Sequence, residues 1–505
     1  MQSPHAPELV SLPDELLENI IDQLESESLV QLSLTCRRLH FLALPIVFAR
    51  ADIHDTTSFF LHDPPAHILH ALRFALFVQN VESLGVGFST YDDRLLPSTR
   101  ELGRLISRLP SMKRFYLSFS YSHLLSPTVP DSAWQREVIR LLDLITNRSC
   151  TLLSVAGGFE IRPDPGADSA SAIRVQSRSI VNSGFRRLLR RIDRVVIPFS
   201  LKRLGGRSRH YGLREFRALT IVLFQPPFLK WTISTLRNNS RTLTAVSFRT
   251  DGIPTNTWQD ILSNITLPYL SKFELTSSLG GFEPTAVPFN SLLSFLTRHP
   301  SIVNLELRTV ARPTAHHQLP SRKLLPTLET LKVDAWFTVW LLNREKAFED
   351  LTSLYLVSEA YPLFRTFDYN TWDGVLSRIP RSAPHVTNLY ISFYPEAGAI
   401  EWLDKHVSQE NSPVAALESV TTLNVTRSWN MWRREVMALI PQFVARFPGL
   451  QDFTYASPPP SVKRATQRSF IKEINRACPR VTVDLGFLAD LDTLSQASND
   501  TQEIS

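Results

Sequence analysis

The sequence predicts an α/β solenoid: a stack of short parallel strands, each returned by a helix, with a small all-helical module in front. Three observations predict it. An apolar triplet of fixed internal spacing recurs from residue 81 to the C-terminus. Helical apolar stripes fall between successive triplets. The first fifty residues keep helical spacing and carry helix-start signals.

The front module opens at Ser11-Leu12-Pro13-Asp14. Ser11 can cap free backbone N–H groups, Pro13 presets a first-turn φ, and Asp14 and Glu15 suit the positive end of the helix dipole. Leu16, Leu17, Ile20, Ile21 and Leu24 then mark one helical face. A second start is read at Ser28, with Gln31 completing a capping-box pattern. Leu29, Leu32, Cys36 and Leu39 follow at helical spacing, with Arg37 and Arg38 at the far end of that helix. Pro45 is expected to break the pattern. Two or three short helices in about forty residues make a small core, so a partner or a neighbouring domain should cover part of it.

Two runs carry a family resemblance. Leu12-Pro13-Asp14-Glu15-Leu16-Leu17-Glu18-Asn19-Ile20-Ile21-Asp22-Gln23-Leu24 looks like the opening of an F-box. Leu29-Val30-Gln31-Leu32-Ser33-Leu34-Thr35-Cys36-Arg37-Arg38-Leu39 looks like its second half. The family position that is often Trp is filled by Phe41 or Leu42. The resemblance implies a three-helix motif that binds the Skp adaptor of cullin-based SCF ubiquitin ligases. On it, Leu12, Pro13, Leu16, Ile20, Leu24, Leu34 and Leu39 match the motif's apolar positions. Some would face the adaptor and some the motif's own core, and the sequence does not separate them. The competing reading is an ordinary helical cap on a repeat array.

The repeated triplet is apolar, two of any type, apolar, one of any type, apolar. Its middle residues are Leu84, Phe115, Leu153, Val195, Leu219, Val246, Phe273, Leu305, Leu331, Leu354, Leu389, Leu423, Phe453 and Val481. The mean step is about 30 residues. Apolar residues alternating with polar ones make a short strand with one buried face. Runs such as Leu102-Leu105-Ile106-Leu109 and Val138-Leu141-Leu142-Ile145 supply the helices. Strand, turn, helix and return form the unit of a leucine-rich repeat. The expected class is therefore a leucine-rich-repeat-like solenoid, a horseshoe with a parallel concave sheet, preceded by a three-helix F-box. The spacing is irregular and the usual Asn after each strand is missing, as in the degenerate repeats that follow an F-box in fungal-type sequences. A further strand is expected near Val47 to Ile53. An all-helical solenoid is the alternative.

In such a solenoid, residues between the buried strand positions face the concavity. Arg114, Tyr116, Lys272, Glu274, Glu306, Arg308, Lys332, Asp334, Tyr355 and Tyr390 are read as candidate contacts to a protein substrate, with Asn424 beyond them. Charge interleaved with tyrosine is the composition of protein-recognition surfaces. Trp336, Trp340, Trp429 and Trp432 lie just past strands and are expected to plug irregular repeat cores. Residues 174–214 hold twelve Arg and Lys against the single acid Asp193, while the whole chain carries a formal charge of +6. Within that region Arg186, Arg187, Arg190, Arg191, Arg203, Arg207 and Arg209 form a candidate patch for an acidic or phosphorylated ligand. Nucleic acid is the weaker reading there, because aromatic residues for base stacking are sparse. A solvated insertion is the plain one.

Composition bounds the rest. The chain has 505 residues, 43% hydrophobic and 20% charged, enough for a sizeable core. Seventeen glycines and no G-x-G-x-x-G or Walker loop leave no phosphate cradle. H-E-x-x-H, C-x-x-C and G-x-S-x-G are also missing, and His67 with His70, or His316 with His317, lack a second ligand pair. No catalytic residue, metal or cofactor is expected. Three scattered cysteines suit a reducing compartment. No secretory signal or membrane span is read, so residence is expected in the cytoplasm or nucleus. The expected organisation is a tail at 1–8, an F-box at 9–50, the solenoid at 51–488 with a basic insertion around 160–214, and a polar tail at 489–505. The function expected is a non-catalytic substrate adaptor of a ubiquitin ligase. A scaffold without a ubiquitination role, or a basic repeat protein on nucleic acid, are the alternatives.

Overall fold

A computed structural model describes residues 12–88, 95–119, 132–157, 212–277, 286–308, 310–312, 323–357, 367–393, 398–426, 432–456, 458–459 and 461–485. Ser11, Trp429, the arginine cluster from Arg186 to Arg209 and the strand expected around Val195 lie outside the described residues.

Three helices form the front module: α1 Asp14–Ile21, α2 Ser26–Ser33 and α3 Arg37–Arg50. Helix α1 starts at Pro13, with Asp14 and Glu15 in its first turn. Helix α2 starts earlier than expected. Glu25 is its cap residue and accepts the Leu29 N–H at 2.9 Å, which places Ser28 inside the first turn. Arg37 and Arg38 do not end α2; they open α3. Pro45 does not stop α3, which runs on to Arg50. Proline is tolerated there because Pro45 lies on the exposed side while Leu44, Val47 and Phe48 are buried on the other. The strand expected at Val47 to Ile53 is thus replaced by the last turn of α3, and burial of Val47 and Phe48 outweighs their strand propensity. Arg50 closes the module by donating to Leu24 O at 2.6 Å and Asp22 O at 3.0 Å. Arg38 donates to the Asp14 carboxylate and to Leu12 O. The module is keyed to the repeats by buried His40, whose Nδ1 lies 3.2 Å from Ser33 O and whose Nε2 accepts the Leu76 N–H at 3.1 Å.

Among the described residues fourteen strands form one open sheet, all parallel and in sequence order. They are β1 Ser58–His62, β2 Val81–Phe88, β3 Met112–Phe119, β4 Leu152–Gly157, β5 Glu215–Leu219, β6 Ala245–Arg249, β7 Lys272–Thr276, β8 Asn304–Leu307, β9 Thr330–Asp334, β10 Ser353–Val357, β11 Asn388–Ser392, β12 Thr422–Thr426, β13 Asp452–Tyr455 and β14 Thr482–Leu485. Helices on one face return the chain, including α4 Ala66–Phe74, α5 Leu95–Arg108 and α6 Ser132–Thr146. Such strict sequential parallel order defines a solenoid of leucine-rich-repeat type. Prolines start several helices, as at Pro65, Pro254 and Pro288, where their missing N–H is not needed.

One buried row crosses the sheet. Leu84, Phe115 and Leu153 pair in turn, as do Val246, Phe273, Leu305, Leu331, Leu354, Leu389, Leu423 and Phe453. Two expected members differ. Phe216, not Leu219, pairs Leu153 and Val246, because small Ala218 fills the second buried position of β5. Val483, not Val481, pairs Phe453; the Val481 N–H instead closes a turn onto Cys478 O at 3.1 Å. β4 bonds directly to β5, the expected Val195 position lies outside the described residues, and Phe59 of β1 heads the row.

A row of hydroxyls also links successive repeats. Thr151, Thr244, Ser271, Thr352, Thr387 and Thr421, each just before a strand, donate their hydroxyls to backbone carbonyls of the preceding repeat at 2.8 to 3.5 Å. Each of these carbonyls also accepts backbone N–H groups of the next repeat, so the hydroxyl adds a further donor to a junction the backbone already pairs.

Candidate functional site: two interaction surfaces

The first surface lies on the front module. Its apolar residues divide by face. Leu17, Ile21, Leu29, Val30, Leu39, Leu44 and Phe48 make the core, and Leu12 and Leu24 are half-buried against it. Leu16 is 51% exposed, Ile20 41%, Leu34 45% and Phe41 43%, with Pro13 also exposed. Of the seven positions expected to bind an adaptor, Leu39 therefore cannot reach one. Pro13, Leu16, Ile20 and Leu34 can, from α1 and the end of α2. Phe41 belongs with them on exposure.

This surface continues past the module. Phe77 lies 6.0 Å from Phe41 between ring centroids, and Leu76 and Phe74 are exposed nearby in sequence. Among the described residues nine large apolar side chains are exposed; Phe60 lies in the floor row of the sheet beside Gly85, Tyr269 lies elsewhere, and the other seven fall between Leu16 and Phe77. Apolar exposure concentrated in one stretch marks an interaction site. No local pattern marks Leu76 and Phe77, which read as part of an ordinary apolar run.

The second surface is the solvent-facing floor of the sheet. Tyr116, Glu274, Glu306, Lys332, Tyr355, Tyr390 and Asn424 occupy one cross-strand row, with Ser154, Arg217 and Ser247 filling the row between Tyr116 and Glu274. Arg114 and Lys272 sit one pleat before it and Asp334 one pleat after. Arg308 follows β8 directly, and its N–H bonds to Leu275 O. Strands β5 to β9 pair their charges: Arg217 with Glu215 at 2.5 Å, Arg249 with Asp251 at 2.9 Å, and Lys272 with Glu274 at 2.7 Å. Glu306 receives both Lys332 at 3.0 Å and Arg308 at 3.3 Å. Strands β10 to β12 differ. Their floor positions are Ser353, Tyr355, Val357, Asn388, Tyr390, Ser392, Thr422, Asn424 and Thr426, without a charge. The Tyr355 and Tyr390 rings stack at 4.0 Å and 4°. Lys332 Nζ lies 5.7 Å from the Tyr355 ring centroid. Burial, then the neighbouring Tyr390 and Glu306, raise the Tyr355 phenol well above its ordinary range, so it stays protonated.

The tryptophans are packing groups. Trp340 and Trp336 meet Phe289 at 5.0 and 6.1 Å, and Trp432 packs on Tyr455 and Phe470 while donating to Ala456 O at 3.1 Å. A polar network missed in the sequence sits on the helical side. Trp402 Nε1, Lys405 Nζ and His406 Nε2 converge on Asp373 at 2.7, 2.6 and 2.9 Å. Burial opposes ionisation of Asp373, but these bonds outweigh it and hold the carboxyl down at about 2. His406 Nδ1 lies 2.8 Å from Ser412 Oγ. The series has the order of a catalytic relay, yet Ser412 is buried and its Oγ accepts the Val414 N–H, so no nucleophile is presented. Among the described residues no cluster of three or more His, Cys, Asp or Glu could hold a metal ion, and no helix is long and apolar enough to cross a membrane. Burial pushes the Cys150 thiol up to about 12, far from a reactive thiolate.

Residues 9–53 match the family model described as F-box-like. The front module is an F-box-like domain. Its exposed Leu16, Ile20 and Leu34 are thus part of that domain, and the leucine-rich-repeat-like sheet follows it directly. Among solved structures, the leucine-rich repeat-containing protein LegL7 from Legionella pneumophila is similar at 13% identity and a TM-score of 0.36, over 82% of this chain and 96% of that one. A chain of the yeast Rad7 and Elc1 complex is similar at 9% identity and a TM-score of 0.36, over 93% of this chain and 90% of that one. A guanylate kinase of Lawsonia intracellularis (strain PHE/MN1-00) is 28% identical over 112 residues. That match takes in 22% of this chain, which spans about half (47%) of that relative's length.

Proposed function

We propose that this chain is a non-catalytic substrate receptor of an SCF-type ubiquitin ligase, working in the cytoplasm or nucleus. The F-box-like domain binds the Skp adaptor, and through it a cullin, by Pro13, Leu16, Ile20 and Leu34, with Leu12 and Leu24 supporting them from the module's edge. The sheet floor holds a protein substrate. The effect is one of proximity: substrate is held at high effective concentration beside the ubiquitin-transferring machinery, and no bond is made by this chain. The boundaries that go with this reading are 9–50 for the docking domain and 51–488 for the receptor. The arginines around 160–214 would be an accessory contact for an acidic or phosphorylated partner. The single observation that carries the reading is the exposure of Leu16, Ile20 and Leu34 on an F-box-like domain whose other described aliphatic residues are buried or partly buried.

The guanylate kinase match suggests no competing activity, since the sequence holds no G-x-x-x-x-G-K-[ST] loop to bind a nucleotide's phosphates. The test is reconstitution. The purified chain, Skp adaptor, cullin and RING subunit should co-elute as one complex. A Leu16→Asp/Ile20→Asp/Leu34→Asp chain, folded by circular dichroism, should stay out of it. Co-elution of that variant would remove the adaptor from this surface. Co-elution of the intact chain that supports no ubiquitin transfer to any bound protein would favour a scaffold.

A further inference from the structure

The floor of the sheet changes character between β9 and β10, and the change specifies a ligand chemistry. Each basic group on β5 to β9 named above has an acid within 3.3 Å. A charged ligand arriving there must break existing pairs and desolvate both partners, which costs most of what it gains. Strands β10 to β12 offer it no counter-charge. They offer Tyr355 and Tyr390 already stacked, with Ser353, Asn388, Thr422 and Asn424 in the flanking floor positions.

We infer that β10 to β12 seat an uncharged, extended polypeptide segment of the substrate, with an aromatic or proline ring packed against Tyr390. This rests on the sheet floor being the receptor surface. Lys332 takes the outer side of Tyr355 and Tyr355 takes one face of Tyr390, so an incoming ring would meet Tyr390 from the side of Asn424, its neighbour in the floor row. Tyrosine presents large contact area with only two side-chain torsions to fix, and here the stack has fixed them before binding. Asparagine carries both a donor and an acceptor, which matches the alternating N–H and C=O of an extended backbone. Three strands about 4.8 Å apart span the reach of roughly four extended residues. The protonated phenol of Tyr355 keeps the sector neutral.

The intact chain panned against a displayed random dodecapeptide library tests this, with two floor variants run beside it. The expected winners are uncharged peptides containing an aromatic residue or proline, whose affinity is the same at low and high salt. Tyr355→Ala/Tyr390→Ala should weaken them by roughly tenfold or more, and Glu306→Ala/Lys332→Ala by less than about threefold. Asn424→Arg leaves the tyrosine stack in place and should match the tyrosine loss, which separates the site from a folding defect. Charged, salt-sensitive winners lost on the Glu306/Lys332 variant would overturn the inference while keeping the sheet floor as receptor. Winners unaffected by every floor variant, or no winners, would overturn both.

Discussion

The F-box-like domain and the solenoid that follows it treat the same residue types in opposite ways. The domain leaves Leu16, Ile20 and Leu34 largely in water. The solenoid buries the Leu and Phe of its cross-sheet row and turns tyrosine, amide and paired charge outward. An exposed aliphatic face suits a lasting partner that covers it, whereas a polar floor suits partners that come and go. On the proposed function, one chain would carry a permanent-type surface and an exchangeable one.

The largest effect that sharpens this contrast is in stability. Leu39→Ala removes a core residue and should cost about 3 kcal/mol in urea unfolding, with similar loss for Leu354→Ala in the sheet. Leu16→Ala should cost less than about 0.5 kcal/mol. Equal losses at Leu16 and Leu39 would break the comparison.

The Asp373 network comes next. Asp373→Ala leaves Trp402 and His406 without their acceptor and should cost about 2 kcal/mol by the same assay, with no change in adaptor binding. Acid should act in the same direction. Asp373 has a folded value near 2 against an ordinary 3.8, so its contribution is complete above about pH 4 and is lost as pH falls toward 2. Wild-type stability should therefore fall more steeply than that of Asp373→Ala across that window, as read from pH-dependent urea melts. The smallest effect belongs to the hydroxyl ladder. Thr387→Val and Thr421→Val should each cost less than about 0.5 kcal/mol, since the carbonyl that loses the hydroxyl keeps its backbone N–H donors.

What was legible follows from what each position must do. Leu331, Leu354, Leu389 and Leu423 are large, buried and evenly flanked, so the spacing exposed their row. Phe216 was displaced because its buried companion is Ala218, too small to read as a core residue. The first strand holds Phe59, whereas the strand expected at Val47 falls on an apolar run that belongs to a helix passing Pro45. Tyr355 and Tyr390 are legible as equivalent positions on two strands, but their stack, and the Lys332–Glu306 pair beside it, depend on register between strands. The split between Leu16 and Leu39 could not be read, because both are leucines at helical spacing and only packing tells them apart. Asp373, His406 and Ser412 meet across 33 and 6 residues, with no local pattern to announce them.

The measurement that tests the account most directly is the affinity of the purified Skp adaptor for the intact chain and for Leu16→Asp/Ile20→Asp/Leu34→Asp, by calorimetry on proteins with matching thermal melts. Each of the three side chains would bury about 1 kcal/mol or more against the adaptor, and each introduced carboxylate would be desolvated there. Loss of at least about a thousandfold in affinity, with unchanged melting, is the predicted result. Equal affinity of the two chains, or no binding by either, would contradict it.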